Sequence, residues 1–164
     1  MNEPVQGQPM PIAPAPSAAI VDSRTQPNLI AGILAGLVAA LIGAALWAVV
    51  TVMMNAQLGI MAIGVGLLVA WAVRTVGKGS TPVFGVIGAV LALFGCVLGN
   101  LLSGCAFLAH EQGASVGSVT LNVLSSPSTS FALLQAMFDG MDLLFYAIAA
   151  YEGFKFGRRA LAAT

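Results

Sequence analysis

Charged side chains are scarce in this chain: they make up 7% of its residues, whereas roughly a quarter is usual in a soluble domain. No Asp, Glu, Lys or Arg occurs from Thr25 to Val73, and none occurs from Gly79 to Ala109. Such segments cannot cover a water-facing surface, so a soluble globular fold is excluded. They are long enough to cross a bilayer, which takes about 20 apolar residues per helix. The sequence therefore predicts an integral membrane helix bundle of the all-α class.

Other groups that would point to chemistry are also missing. The formal net charge is zero, so there is no basic field for nucleic acid. Cys96 and Cys105 fall in one apolar run, and on one helix they would lie about 13 Å apart along the axis, too far for a disulfide. His110 is the single histidine, which argues against zinc. We expect no catalytic, cofactor-binding or metal residues, no cofactor, and no enzyme activity.

The apolar runs divide the chain into a tail and a membrane domain. Residues 1–28 hold six of the eight prolines, which predicts a disordered Pro-rich tail. Spans are predicted at about 29–54, 58–76 and 83–109. The expected membrane domain covers 29–157, and a second short tail covers 158–164.

The fourth span is the most ambiguous. One interpretation is a single helix over 131–156. The other is an interfacial helix, a break at Gly140 and a span over about 141–156, which we favour because carboxylates in mid-membrane are costly. Before it, 110–130 is expected to be a polar loop, and alternating Val119, Leu121 and Val123 resemble a short strand.

The cations predict the orientation. With four spans, all six fall on one face of the membrane: Arg24, Arg74, Lys78, Lys155, Arg158 and Arg159. Short cytoplasmic segments carry the excess of Lys and Arg. The predicted location is the inner (plasma) membrane, multi-pass, with both termini cytoplasmic.

Small residues recur at helical spacing and predict packing faces. Gly32 and Gly36 are four apart on the first helix, and Gly95 and Gly99 are four apart on the third. Such pairs let neighbouring backbones approach closely in lipid. Packing inside one bundle is the favoured interpretation, although a dimer interface would show the same pattern.

A candidate intramembrane polar cluster is predicted near the outer face from residues of the third and fourth helices: Asn100, Ser103, Asp139, Asp142 and Tyr146. An ionisable group in a membrane is a functional hypothesis by default. The alternative, which we favour, is that Asp142 caps the first turn of the last helix.

Several segments resemble an uncharacterised family of small bacterial four-span membrane proteins over about residues 30–157. They are the glycine-spaced helix and Arg-x-x-Gly-x-Gly loop of 59–79, Leu-Gly-Asn-Leu-Leu at 98–102 and Asp-Leu-Leu-Phe at 142–145. Ile60 and Met61 depart from the aromatic and polar residues often found at that turn. The resemblance implies four spans and a bacterial origin, and it carries no assigned activity.

Two functions fit these observations. The first is a membrane interaction or assembly protein without chemistry, whose partners are the lipid bilayer and a membrane protein or second copy. The second is a small oligomeric transporter or channel built on the outer polar cluster. The second requires oligomerisation or a partner, because four helices rarely enclose a pathway.

Overall fold

The structure is a computed structural model that describes residues 26–56 and 59–158. Residues 1–25 of the predicted tail over 1–28, and residues 159–164 of the second tail, lie outside the described residues. The described part is all-α, as predicted. Its six helices are α1 (Leu29–Met54), α2 (Met61–Gly77), α3 (Pro82–Gln112), α4 (Val116–Ser125), α5 (Pro127–Met137) and α6 (Gly140–Gly157).

Polar residues at both ends fix the bounds of α1, which are those of the first predicted span. The Asn28 side chain accepts the free backbone N–H of Ala31 at 2.9 Å, an N-cap of the first turn. At the other end, Asn55 adopts a left-handed conformation with φ 48° and stops the helix. The backbone N–H of Asn28 also donates to the Gly77 carbonyl at 2.9 Å. The start of α1 is therefore held against the end of α2.

Four of the helices form a bundle with a diamond cross-section. α2 and α3 contact each other, and each also contacts both α1 and α6. α1 and α6 make no contact among the described residues. α4 and α5 pack on α3 and on each other, at the end of the bundle where α6 begins.

The helices bury small side chains and expose large ones. On α1, the buried residues are almost all Gly and Ala, whereas large apolar side chains at helical spacing face outward: Leu34, Val38, Ile42, Leu46, Val49 and Met53. A soluble helix has the opposite arrangement, with its large apolar face inward. An outward apolar face with small residues between helices is typical of packing in lipid. The apolar helices therefore contact the bilayer.

Two helices, α1 and α3, are long and apolar enough to cross a membrane, and the bent pair α5–α6 would be a third if it forms one span. α2 has 17 residues, about 25 Å of helix, which is short of a hydrocarbon core of about 30 Å. Two to three candidate spans are thus found where four were expected. Four spans stay a prediction.

The segment after the third predicted span is helical and is neither a loop nor a strand. α3 continues to Gln112, and α4 contains the residues that were expected to alternate as a strand. Val119 and Val123 are buried against Leu101, Cys105 and Ala109 of α3. These two valines are four apart, so a helix places both on one face. The strand interpretation is wrong because packing against α3 stabilises a helix that buries both valines.

A single helix over 131–156 is also wrong. α5 ends at Met137, α6 begins at Gly140, and the two axes are bent by 100°. The bend separates the polar residues of this segment. Gln135 and Asp139 are exposed, whereas Asp142 and Tyr146 are buried.

Candidate functional site

The four predicted packing glycines lie at contacts between helices of the bundle. Gly32 faces Gly77 and Phe84, and Gly36 faces Val73 and Leu91. On α3, Gly95 faces Ala40 and Val65, and Gly99 faces the indole of Trp47. All four are buried. These small-residue faces are therefore occupied within the chain and are not free for a second copy.

A buried amide–carboxylate contact joins α3 to α6. The side-chain amide of Asn100 donates to Oδ2 of Asp142 at 3.4 Å, across 42 residues of sequence. Asn100 is fully buried and Asp142 is 4% exposed. A buried carboxylate is costly unless hydrogen-bonded partners surround it. Asn100 and Asp142 of the predicted polar cluster are therefore in direct contact, and the Asn100 amide gives the buried carboxylate a hydrogen-bond donor.

Asp142 also serves the start of its own helix. Asp139 is the N-cap of α6, and its backbone N–H donates to Oδ2 of Asp142 at 3.0 Å. This is the reach-back half of a capping box, in which the acidic residue three positions after the cap satisfies a free N–H. Asp139 contributes its backbone here while the residue itself is exposed. The N-cap is thus Asp139, three residues before the position expected.

Tyr146 lies one turn further along α6 and links α6 to α3. Its hydroxyl donates to the Cys96 carbonyl of α3 at 3.2 Å and lies within hydrogen-bonding reach of the Asn100 side chain. The Cys96 thiol in turn faces the Ala62 carbonyl of α2 at 3.8 Å. Cys96 and Cys105 are both buried and free, so the prediction that they do not pair is confirmed.

Ser103 belongs to a different contact from the one predicted. Its hydroxyl lies 2.8 Å from the Gly99 carbonyl and 3.3 Å from the hydroxyl of Thr51 in α1. Thr51 and Ser103 are both fully buried. Sequence reasoning missed Thr51 as a member of the cluster. The signal was present, because Thr51 is the strongly polar residue of an otherwise apolar run and falls near the same end of the bundle.

Trp47 lies one turn before Thr51 on α1, next to these polar contacts. Its side chain is fully buried against Gly99, and its indole N–H has no hydrogen-bond partner among the described residues. The end of the core nearest α4 and α5 therefore contains two buried polar pairs and one buried N–H donor, that of Trp47, without a hydrogen-bond partner among the described residues. Leaving such a donor unpaired costs about 1–3 kcal/mol.

A small cleft reaches Asp142 from outside the core. It encloses about 220 Å³ and is lined by Gly59, Asp139, Met141, Asp142 and Phe145. No group of three or more His, Cys, Asp or Glu side chains arranged to hold a metal occurs within 26–56 and 59–158. The cleft can admit water or a small cation to the carboxylates of Asp139 and Asp142.

No family model, no curated protein and no solved structure matches the chain. The likeness to a family of small bacterial four-span proteins therefore remains a likeness of sequence segments. What the fold and its surface define is a class: a helical protein whose apolar helices contact the bilayer, with two to three candidate spans.

Proposed function

We propose that the chain is a four-span inner-membrane protein, with both termini cytoplasmic, that acts as a non-enzymatic interaction or assembly protein. The observation that carries this proposal is the closed core. Buried residues of α1, α2, α3 and α6 form one apolar cluster that includes Trp47, Val69, Val73 and Phe84. Side chains fill the interior where a pathway would have to run.

The directions of the helices support the four-span topology, as do their lengths. α2 and α6 are short, with 17 and 18 residues, or about 25–27 Å. They pack closely where the backbone of Gly66 meets that of Ala149. Since both end beside cationic residues, a long Lys or Arg side chain can reach the interface from the last turn. α2 and α6 run parallel, and together with α1 and α3 they make four crossings, the even number that the cation asymmetry requires.

The outer end of the bundle supplies the surface for a partner. With Pro82 at the inner boundary, Asn100 lies about 27 Å along α3 and Gln112 about 45 Å along it, so the last turns of α3 stand above a hydrocarbon core of about 30 Å. α4 and α5 pack there and expose large apolar side chains: Leu121 (71%), Leu124 (51%) and Phe131 (62%). Apolar side chains exposed outside the lipid mark an interaction surface.

Site-specific photocrosslinking in intact cells tests this proposal. A photoreactive residue at position 121 or 131 should give a discrete adduct with one membrane protein, identified by mass spectrometry. The matched control is position 46, where Leu46 is 54% exposed on the lipid-facing side of α1 and should give lipid adducts alone. Lipid adducts alone at all three positions would contradict the proposal.

A transporter or channel is the second candidate, because one observation favours it. The cleft of about 220 Å³ leads to Asp142, a buried carboxylate beside the Asn100 amide. Such a group can take up a proton or a cation. A pathway would still have to form between copies of the chain, since the core of each bundle is filled.

A further inference from the structure

The inner end of the bundle carries a cleft that combines an apolar wall with a cation. It lies between α2 and α6, encloses about 240 Å³ and is lined by Leu67, Trp71, Arg74 and Phe156. Leu67, Trp71 and Arg74 are four and three residues apart, so they share one face of α2. Trp71 is 64% exposed, whereas Trp47, the other tryptophan, is fully buried.

We propose that this cleft binds an anionic phospholipid, with the phosphate at Arg74 and an acyl chain along Leu67 and Trp71. Basic pockets between transmembrane helices on the cytoplasmic side bind anionic headgroups. Arg74 lies one turn before the end of α2 and is half-buried against the bundle, and a long cationic side chain in the last turn of a spanning helix can reach the headgroups. Its planar guanidinium is suited to phosphate, because it donates several N–H groups in a fixed geometry.

The charge around the cleft complements such a lipid. The Lys155 ammonium lies 5.9 Å from the centre of the Phe156 ring, the ring that forms the α6 wall. Lys78 follows Arg74 by one turn and is exposed. The carboxylate closest in sequence is Glu152, one turn before Phe156 on α6. Three cations against one acid leave this corner of the bundle positive.

The surface next to the cleft is suited to the acyl chain of the proposed lipid. Trp71 also borders an apolar groove between α1 and α2 of about 560 Å³, whose lining contains no charged residue. The Trp71 indole therefore lies between the apolar groove and the cationic cleft and lines both. Acyl chains of any lipid suit the groove, whereas Arg74 makes the cleft selective for the headgroup. This inference rests on the proposed four-span topology, which the reporter fusions test separately, and it holds for either candidate activity.

Quenching of tryptophan fluorescence by brominated lipids tests the site. The full chain is reconstituted in vesicles of phosphatidylcholine and phosphatidylglycerol, with the bromine on one lipid or the other, and the signal of a Trp71→Phe variant is subtracted. An anionic lipid near one Lys or Arg gains on the order of fivefold in local concentration. We therefore expect brominated phosphatidylglycerol to quench Trp71 as if enriched several-fold over its mole fraction.

Matched variants separate a site from diffuse surface charge. Arg74→Gln should abolish the selectivity, and Arg74→Lys should retain part of it. Arg158→Gln removes the same charge at the same end, but Arg158 lies over the Phe154 ring at 5.0 Å and beside Gly85, away from the cleft lining, so selectivity should persist. Equal quenching by the two lipids overturns the proposal, as does an equal loss in Arg74→Gln and Arg158→Gln. Weak quenching by both lipids also overturns it, because a protein would then cover Trp71.

Discussion

Gly88 of α3 and Gly153 of α6 bring two backbones into direct contact. A Cβ built on Gly153 would lie 2.6 Å from the Gly88 carbonyl oxygen, and a Cβ built on Gly88 would meet the Gly153 carbonyl in the same way. The obstacle on both sides is backbone, which cannot rotate away as a side chain can. The spacing of α3 and α6 is therefore set by the absence of two methyl groups.

Gly88→Ala should destabilise the fold, because the added methyl separates α3 from α6. Overpacking of this kind costs typically 1–3 kcal/mol. Gly64→Ala is the matched control: a Cβ at Gly64 of α2 meets nothing within 4 Å, and Ala is favoured over Gly inside a helix by roughly 0.5–1 kcal/mol. Thermal unfolding in detergent should give opposite signs for the two variants. A Gly88→Ala variant that is as stable as the original protein, or more stable, would show that α3 and α6 do not touch at Gly88.

Asp142→Asn should be nearly silent in stability, costing at most about 1 kcal/mol, because the amide oxygen still accepts the Asp139 N–H. Asp142→Leu should cost about 1–3 kcal/mol for the Asp139 N–H that loses its acceptor, and it also removes one acceptor of the Asn100 amide. Unfolding temperature and membrane abundance check both. If Asp142→Asn is normally abundant yet fails to complement a deletion strain, the transport candidate replaces the interaction protein. Full complementation removes the main support for transport.

Reporter fusions should place residues 78 and 164 in the cytoplasm and residues 115–128 outside. The physical reason is the six-to-zero distribution of Lys and Arg between the two predicted faces. Each fusion is paired with a second reporter that is active only on the opposite side of the membrane. Poor expression of a fusion is then not mistaken for evidence about its location. A cytoplasmic signal from 115–128 would contradict the four-span topology.

The sequence predicted what depends on local composition. α1 has the bounds of the first predicted span because an unbroken apolar run ends at Asn28 and Asn55. The break before α6 was anticipated from the cost of two carboxylates in lipid. The sequence did not predict whether Asp139 or Asp142 would be the N-cap. The two aspartates differ in backbone conformation, which the tertiary fold determines.

What failed depended on contacts between distant segments. Val119 and Val123 fit a strand period of two and a helix period of four equally well, and only burial against α3 decides between them. Ser103 was assigned to Asp142 by depth along the helix axis. In the bundle it turns toward Thr51 of α1, because rotation about the axis of α3 cannot be read from depth alone.

The diamond arrangement bears on the order in which the chain can assemble. Among the bundle helices, α6 contacts α2 and α3 and does not touch α1. Both of its neighbours precede it in the chain. Once synthesis passes Gln112, the end of α3, every residue of α2 and α3 that α6 contacts is present in the chain, including Gly66 and Gly88. We therefore expect α6 to pack last, against α2 and α3, after a delay set by the length of α4 and α5.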